Sequence, residues 1–160
     1  MTEHAAPLPP RLRPARADDA PRLAQIVASA AAEQPAKPAF GADTPHPADA
    51  LLTRILTELE VDVAIPADSP APDRADAFVV RDGAHLEALY VAPEARGQGL
   101  GSALLSRLKA QHPRLTLWVL EANAAARRFY TRHGFYEEVH HAAPDAPGLS
   151  DIHMVWEARK

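Results

Sequence analysis

Apolar residues recur along this chain at two spacings, and each spacing predicts one kind of secondary structure. Spacings of three and four residues are typical of one face of a helix. They predict a helix that begins at Asp18-Asp19 and ends near Glu33, one over Ala48 to Glu60, one from Gly99 to about Gln111, and one that Asn123 caps and Gly134 ends. Asparagine favours the position before a helix, and glycine favours the left-handed position after one.

Shorter apolar runs, bounded by proline, glycine and aspartate, predict seven strands. They are Arg11 to Pro14, Val61 to Ile65, Ala77 to Arg81, Ala84 to Val91, Leu115 to Leu120, Phe135 to His141 and Asp151 to Glu157. Asp82-Gly83 favours a two-residue hairpin turn between the third and fourth strands. The fifth strand is apolar almost throughout, as expected of a strand buried on both faces, so Trp118 is predicted to lie in the core, as is Trp156.

The order of these elements predicts an α/β (α+β) fold, a mixed sheet with helices on its faces. A helix connects the fourth strand to the fifth, and such crossovers join parallel strands. The length of 160 residues predicts a single domain over 1–160, with a flexible tail over 1–10.

Composition narrows the class of protein. The chain contains no cysteine, which excludes disulfides, thiolate metal sites and a cysteine nucleophile. It has eight histidines without the spacing of a metal motif, so no metal is expected. A net charge of -4 argues against nucleic acid as a partner. The lack of a long apolar run or a signal-peptide pattern predicts a cytoplasmic protein that does not bind membranes.

A glycine-rich loop carries the first candidate chemistry. Arg96-Gly97-Gln98-Gly99-Leu100-Gly101 lies between a predicted strand and a predicted helix, where free backbone amides bind phosphate oxygens. Arg96 would add a charged contact. A dinucleotide-binding fingerprint requires glycine where Ser102 stands, and a P-loop requires Gly-Lys-Ser/Thr, so neither is favoured. A flexible turn before a helix is the alternative.

Two longer segments, LEALYVAPEARGQGLGSALL and WVLEANAAARRFYTRHGF, resemble the GNAT superfamily of acyl-CoA N-acyltransferases. The matching residues are Arg96, Gly99 and Gly101 of the acyl-CoA motif, and Asn123, Ala126, Phe129, Tyr130, Gly134 and Phe135 of a later motif. The resemblance covers Leu86 to Phe135 densely, whereas Met1 to Asp76 matches in element order alone. It implies a mostly antiparallel central sheet of six to seven strands, with helices on both faces and a splay between two parallel central strands.

The resemblance also implies acetyl-CoA as acyl donor and a set of residues that bind it. The main chain of Leu89, Tyr90 and Val91 would pair with the pantetheine arm, and Asn123 would lie beside that arm. Amides from Gly97 to Gly101 would hold the pyrophosphate. Gln98, Leu100, Ser102, Ala126 and Phe129 complete the predicted coenzyme site, and Arg127 or Arg128 would reach the adenosine phosphate.

Three residues are candidates for proton transfer. The resemblance implies that Tyr130 protonates the coenzyme thiolate; otherwise it is an aromatic residue on an apolar helix face, for which Phe129 is the better core candidate. His85 and Glu87 lie two apart on a predicted strand and should share one face. Either would serve as the base for the amine, directly or through water, unless both are merely solvated. A backbone amide near Leu89 would polarise the thioester.

The expected reaction is transfer of an acetyl group to a primary amine by direct attack in a ternary complex. The alternatives are a non-catalytic acyl-CoA-binding sensor or scaffold and a phosphate-binding α/β domain unrelated to CoA. The amine acceptor is not identified. We expect the loops Glu33 to Pro47 and Ala142 to Ser150 to select it. A paired C-terminal strand would suit a homodimer.

Overall fold

A computed structural model of the chain describes residues 8–33, 57–69, 71, 73–141 and 150–159. Apart from their ends, the predicted helix Ala48 to Glu60 and the two predicted acceptor loops lie outside these residues. So does most of the predicted N-terminal tail, of which only residues 8–10 are described, without regular structure.

The described residues form seven strands and three α-helices. The strands are β1 (Arg11–Pro14), β2 (Glu60–Ile65), β3 (Ala77–Asp82), β4 (His85–Val91), β5 (Arg114–Leu120), β6 (Tyr136–His141) and β7 (Asp151–Glu157). The helices are α1 (Ala20–Glu33), α2 (Leu100–Gln111) and α3 (Ala124–Arg132). Every predicted strand is confirmed, with bounds that differ by one residue at most.

The strands form one sheet in the order β1-β2-β3-β4-β5-β7-β6. Neighbouring strands are antiparallel except β4 and β5, which are parallel as the crossover predicted. Ala77, Phe78, Val79 and Val80 of β3 are all fully buried. Because successive side chains of a strand point to opposite faces, both faces of the sheet are covered there, and both α1 and α2 pack against β3.

The parallel pair of strands is joined over a short distance only. β4 and β5 pair at His85 with Thr116 and at Leu86 with Leu117, and no further pair follows. On the other side of β4, Val80 pairs with Ala88 and Arg81 with Leu86, so Glu87 is an extra residue, a β-bulge. A bulge bends its strand, and β4 leaves β5 at this point. The expected splay between the two central parallel strands is therefore confirmed.

The hairpin between β3 and β4 differs from its prediction by one residue. Asp82 pairs with His85, so the turn consists of Gly83 and Ala84 rather than Asp82-Gly83. Gly83 has φ +59°, and a tight hairpin turn with glycine first requires a positive φ at that position.

The expectation that β5 is buried on both faces is wrong. Leu115, Leu117 and Val119 are buried, but the Trp118 side chain between them is 47% exposed. Although the sequence of β5 is almost entirely apolar, buried and more exposed side chains alternate along it, and one face of the strand is partly open. Trp156 of β7 is half-buried and packs against the core.

A charged pair attaches the start of α1 to the edge of the sheet. Arg13 of β1 donates to both carboxylate oxygens of Asp19, at 2.8 and 2.9 Å. Asp19 also accepts from the backbone amide of Arg16 at 2.7 Å. Burial would raise the pKa of the Asp19 carboxyl, but these hydrogen bonds outweigh burial and lower it overall from 3.8.

We predict that Asp19→Asn lowers the free energy of unfolding at neutral pH by about 2 kcal/mol, because it removes a buried charge-assisted pair. A carboxyl with a lowered pKa stabilises the fold above its ordinary pKa, and this contribution is lost as pH falls through the lowered value. The difference between wild type and variant should therefore shrink below about pH 4. Urea unfolding followed by circular dichroism measures both effects.

Asp73→Asn is the matched control. Asp73 also pairs with Arg13, at 3.3 Å, but its side chain is 56% exposed. Its removal should cost less than about 1 kcal/mol, and an equal loss in the two variants would contradict this account of α1.

Candidate active site

The splay opens a cleft of about 900 Å³ between β4 and β5. Its walls are β4, the loop before α2 with the start of that helix, β5 and α3, and α1 contributes Val27 and Ala30. The predicted site residues that line it are Glu87, Leu89, Tyr90, Val91, Arg96, Gly97, Gly99, Leu100, Gly101, Ser102, Asn123, Ala126, Phe129 and Tyr130. The cleft lining does not include four other predicted residues, which are Gln98, His85, Arg127 and Arg128.

The glycine loop forms one end of the cleft. Gly97 and Gly99 have φ +78° and +80°, in the left-handed region that favours glycine. Gly99 directly precedes α2, whose first amides have no acceptor within the helix. At Gly101, a Cβ would lie 3.2 Å from Cζ of Phe129. The loop therefore presents main-chain donors to the cleft, and α3 packs closely behind it.

Tyr130 lies deep in the cleft wall. Its ring centroid is 5.3 Å from those of Phe129 and Phe135, both in edge-on geometry. Burial, followed by the neighbouring Tyr90, raises the pKa of the Tyr130 phenol well above 10, so it stays protonated. The expectation that Phe129 is the better core residue is wrong, because Tyr130 is only 8% exposed and Phe129 is half-buried.

The two candidate bases differ in their surroundings. His85 pairs with Asp82 of β3, and Ala88 pairs with Val80, two residues earlier on that strand. In a regular strand Glu87 would be the residue opposite Val80, so Ala88 takes its position. Glu87 is exposed and lines the cleft. His85 instead has its Nδ1 2.7 Å from Oγ1 of Thr116 on β5. Of the two candidate bases, Glu87 is therefore the one that lines the cleft.

One face of α3 supplies the opposite wall. Ala126, Phe129, Tyr130 and His133 line the cleft at helical spacings of three, four and seven residues. The Asn123 side chain accepts a hydrogen bond from the Ala126 amide at 3.2 Å, which confirms the predicted cap. The sequence reading did not include His133 or Arg132, although His133 continues the same helical spacing.

His133 connects the end of α3 to the start of α2. Its Nε2 is 3.0 Å from Oγ of Ser102, and Lys109 of α2 donates to its carbonyl oxygen. Burial, followed by the charges of Lys109 and Arg132, lowers the pKa of the His133 imidazole below 6.5. The imidazole is therefore neutral at pH 7 and able to exchange a hydrogen bond with a hydroxyl.

Arg127 and Arg128 line a different, smaller cavity of about 420 Å³. Arg127 forms an ion pair with Glu137 at 2.8 Å and donates to the carbonyl of Glu121 at 3.1 Å. Arg132 lines both cavities, so it is better positioned than Arg127 to contact a phosphate group in the cleft.

Membrane-spanning helices and metal-binding clusters are both absent from the described residues. None of their helices has the length and apolar character that crossing a membrane requires. Their histidine, aspartate and glutamate side chains form no group of three that could hold a metal ion.

The fold is an α/β sheet with an open cleft between its two parallel strands, and part of the chain matches known proteins. Residues 70–137 match the family model described as an acetyltransferase (GNAT) domain. This segment of the chain is therefore similar to a GNAT acetyltransferase domain.

Individual proteins are similar to part of the sequence or to the fold, and the chain spans about 40% of the length of the curated relatives it matches. The chain is 40% identical over 58 residues to a peptidyl-lysine N-acetyltransferase, YjaB, of Salmonella typhimurium; the match covers 36% of this chain and 40% of that relative. The solution structure of apo YjaB from Escherichia coli has a TM-score of 0.73 at 22% identity and covers 95% of this chain and 100% of that one. The structure of phosphinothricin acetyltransferase from Sinorhizobium meliloti, in complex with acetyl-CoA, has a TM-score of 0.71 at 19% identity. The match covers 94% of this chain and 89% of that one.

We predict that Lys109→Met raises the pKa of His133, because it removes a positive charge and keeps an alkyl chain beside Trp156. Titration of the imidazole by NMR should give a value below 6.5 in the wild type and a higher value in the variant. Arg11→Ala, on β1, removes a charge far along the sheet and should leave the value unchanged. Equal pKa values in wild type and Lys109→Met would contradict the geometry.

Proposed function

We propose that this protein is an N-acetyltransferase that transfers the acetyl group of acetyl-CoA to a primary amine by direct attack in a ternary complex. The observation that carries the proposal is the splay, which ends the β4–β5 ladder at Leu86 beside a cleft that also contains the glycine loop, Glu87 and Tyr130. The proposed partners are acetyl-CoA and the amine, in the cytoplasm.

Pairing with the open edge of β4 is the proposed means of binding the pantetheine arm. The ladder with β5 ends at Leu86, yet Leu89, Tyr90 and Val91 still line the cleft. Backbone groups along an unpaired strand edge bind an extended ligand as they would bind another strand. The amide groups of the pantetheine arm provide the matching donors and acceptors.

The glycine loop is the proposed site for the pyrophosphate. Amides from Gly97 to Gly101 precede or begin α2, where the helix dipole favours negative charge. Arg96 lines the same end of the cleft and would add a charge-assisted hydrogen bond. The proposed contact for the adenosine phosphate is Arg132 rather than Arg127 or Arg128, because Arg132 lines the cleft.

Glu87 is the proposed base for the amine. An amine with a pKa near 10 is protonated at pH 7, and removing that proton costs about 4 kcal/mol. Glu87 is exposed to the cleft, so it would accept the proton directly or through a water molecule. His85 lies outside the cleft lining, and its hydrogen bond to Thr116 suits a role in holding β4 beside β5.

Tyr130 is the proposed acid. The neutral amine attacks the thioester carbon, a backbone amide near Leu89 polarises the carbonyl, and the carbon–sulfur bond breaks. The leaving thiolate then takes the phenolic proton of Tyr130. The proton that the nitrogen loses as the amide forms passes to solvent, and solvent returns a proton to the phenolate. A buried phenol is a weak acid, but the same burial raises the pKa of the thiolate, so the two remain matched for proton transfer.

Thiol release from acetyl-CoA in the presence of an amine panel tests the proposed function. Release should require both the protein and an amine, with one acetylated amine formed for each thiol. Calorimetry with acetyl-CoA, CoA and ATP accompanies the assay. Tight binding of acetyl-CoA without release for any amine would favour a non-catalytic module, and a preference for ATP would contradict the coenzyme assignment.

We predict that Gly97→Ala weakens acetyl-CoA binding at least about fivefold, because a non-glycine residue in this conformation shifts the amides at the phosphate site. Gly83→Ala is the matched control: both glycines have positive φ and open space around a Cβ, but only Gly97 lines the cleft. Each variant should lose about 1 kcal/mol of stability. Equal loss of affinity in both would contradict the loop's role.

We predict that Tyr130→Phe lowers kcat more than about tenfold, because it removes a general acid, and leaves the affinity for acetyl-CoA nearly unchanged. In the wild type, ionisation of Tyr130 should not lower kcat as the pH rises to about 10, since burial keeps the phenol protonated. Tyr136→Phe, on β6 and outside the cleft, is the control. An unchanged kcat in Tyr130→Phe would exclude Tyr130 as the acid.

A further inference from the structure

Arg22, in the first turn of α1, donates hydrogen bonds to three acceptors outside its own helix. Its Nε donates to the carbonyl oxygen of Ala75 at 2.9 Å. Its Nη2 lies 2.8 Å from a carboxylate oxygen of Asp76 and 2.8 Å from one of Glu94. The side chains of Arg22 and Asp76 are only 16% and 15% exposed. Because a guanidinium group is planar and rigid, three acceptors on two chain segments fix its position.

Arg74 completes a closed set of ion pairs, which we call the charged ring: Arg22, Arg74, Asp76 and Glu94. Nη2 of Arg74 donates to Glu94 at 3.1 Å, and its Nε lies 3.5 Å from Asp76. Each arginine of the ring therefore contacts both acids. The hydrogen bond from Arg22 is the first cause that lowers the pKa of the Glu94 carboxyl below 4.5, so Glu94 is ionised at neutral pH.

The charged ring holds the turn from which the glycine loop starts. Glu94 lies in a short 3₁₀ turn, Pro93–Ala95, that follows β4. The residue before this turn is held as well, because the carbonyl oxygen of Asp76 accepts from the amide of Ala92 at 2.8 Å. The next residue after the turn is Arg96, which begins the glycine loop. The position of the first loop amides thus depends on a turn that is fixed both by its backbone and by a side chain.

Arg22 connects two parts of the cleft wall. It does not line the cleft, but Val27 and Ala30 of the same helix do, and α1 packs against both β4 and the turn. The outer pair of the ring, Arg74 and Glu94, is 45% and 56% exposed, and ion pairs at such exposure add little to stability. A link to Glu94 therefore matters more for where the turn lies than for whether the chain folds.

We propose that Arg22 is a positioning residue for the coenzyme: through Asp76 and Glu94 it fixes the turn Pro93–Ala95, and so it places the glycine-loop amides for the pyrophosphate. This inference rests on the proposed function, because it concerns the phosphate site of the same cleft. A loop that is already in place loses less conformational freedom when its ligand binds. The effect of Arg22 therefore belongs to coenzyme affinity and not to the chemical step.

Calorimetry with acetyl-CoA tests the inference, with acetylation of an amine found by the panel measured in parallel. Arg22→Met removes the three hydrogen bonds and keeps an alkyl chain. It should raise the dissociation constant and KM for acetyl-CoA at least about fivefold, while kcat at saturating acetyl-CoA stays within about twofold. Arg22→Lys keeps the charge but has a single nitrogen, so its affinity should fall between those of wild type and Arg22→Met.

Glu94→Gln shows whether Arg22 acts through the turn. Because the Glu94 side chain is 56% exposed, the variant should fold as the wild type does. It should raise the dissociation constant for acetyl-CoA at least about threefold. Arg22→Met combined with Glu94→Gln should bind acetyl-CoA as Arg22→Met does, within about 1.5-fold, since both changes break the same link.

Asp19→Asn is the matched control, because it destabilises the start of α1 at a carboxylate that contacts Arg13 and Arg16 instead of the charged ring. Its affinity for acetyl-CoA should stay within about twofold of the wild-type value. Equal affinity in wild type and Arg22→Met, an equal loss in Asp19→Asn, or losses from Arg22→Met and Glu94→Gln that add in the double variant would each overturn the inference.

The same measurements separate this inference from the proposed function. Acetyl-CoA binding that depends on Arg22, without acetylation of any amine, would overturn the proposed catalysis and leave the positioning role in place. Acetylation with unchanged acetyl-CoA affinity in Arg22→Met would do the reverse. A wild-type protein that does not bind acetyl-CoA would overturn both.

Discussion

The structure depends on one extra residue in β4. Glu87 forms a bulge directly after the two residue pairs that join β4 to β5, and the bend it introduces ends the parallel ladder. A continuous ladder would use the backbone groups of Leu89 to Val91 for pairing with β5. Because the ladder stops, those groups face a cleft, and Glu87 itself is brought to the cleft wall.

The two faces of the sheet then provide different chemistry at this opening. On the α2 face, Gly97 and Gly99 set the loop conformation, and Gly101 admits the Phe129 ring against the start of the helix. On the other face, Trp118 and His153 leave an aromatic surface exposed. The phenol of Tyr130, buried between aromatic rings, also lines the cleft.

The sequence predicted what is determined locally, and missed what depends on pairing between strands. The spacing of the three described helices, the Asn123 cap and the crossover from β4 to β5 are short-range signals, and these were confirmed. The bulge has no signature in HLEALYV, since it is defined by the pairing with the partner strand. LTLWVL reads as buried on both faces because tryptophan counts as apolar, although its face is open. The helical spacing through Phe129 could have identified His133.

The central claim is that the splay, rather than another cavity, receives the coenzyme. A crystal structure of the protein with CoA tests it most directly. We expect the pantetheine arm between β4 and β5, hydrogen-bonded to the main chain of Leu89 to Val91, with the pyrophosphate at Gly97 to Gly101. Coenzyme bound at the Arg127 and Arg128 cavity, or a β4–β5 ladder that continues past Leu117 and closes the cleft, would contradict the account.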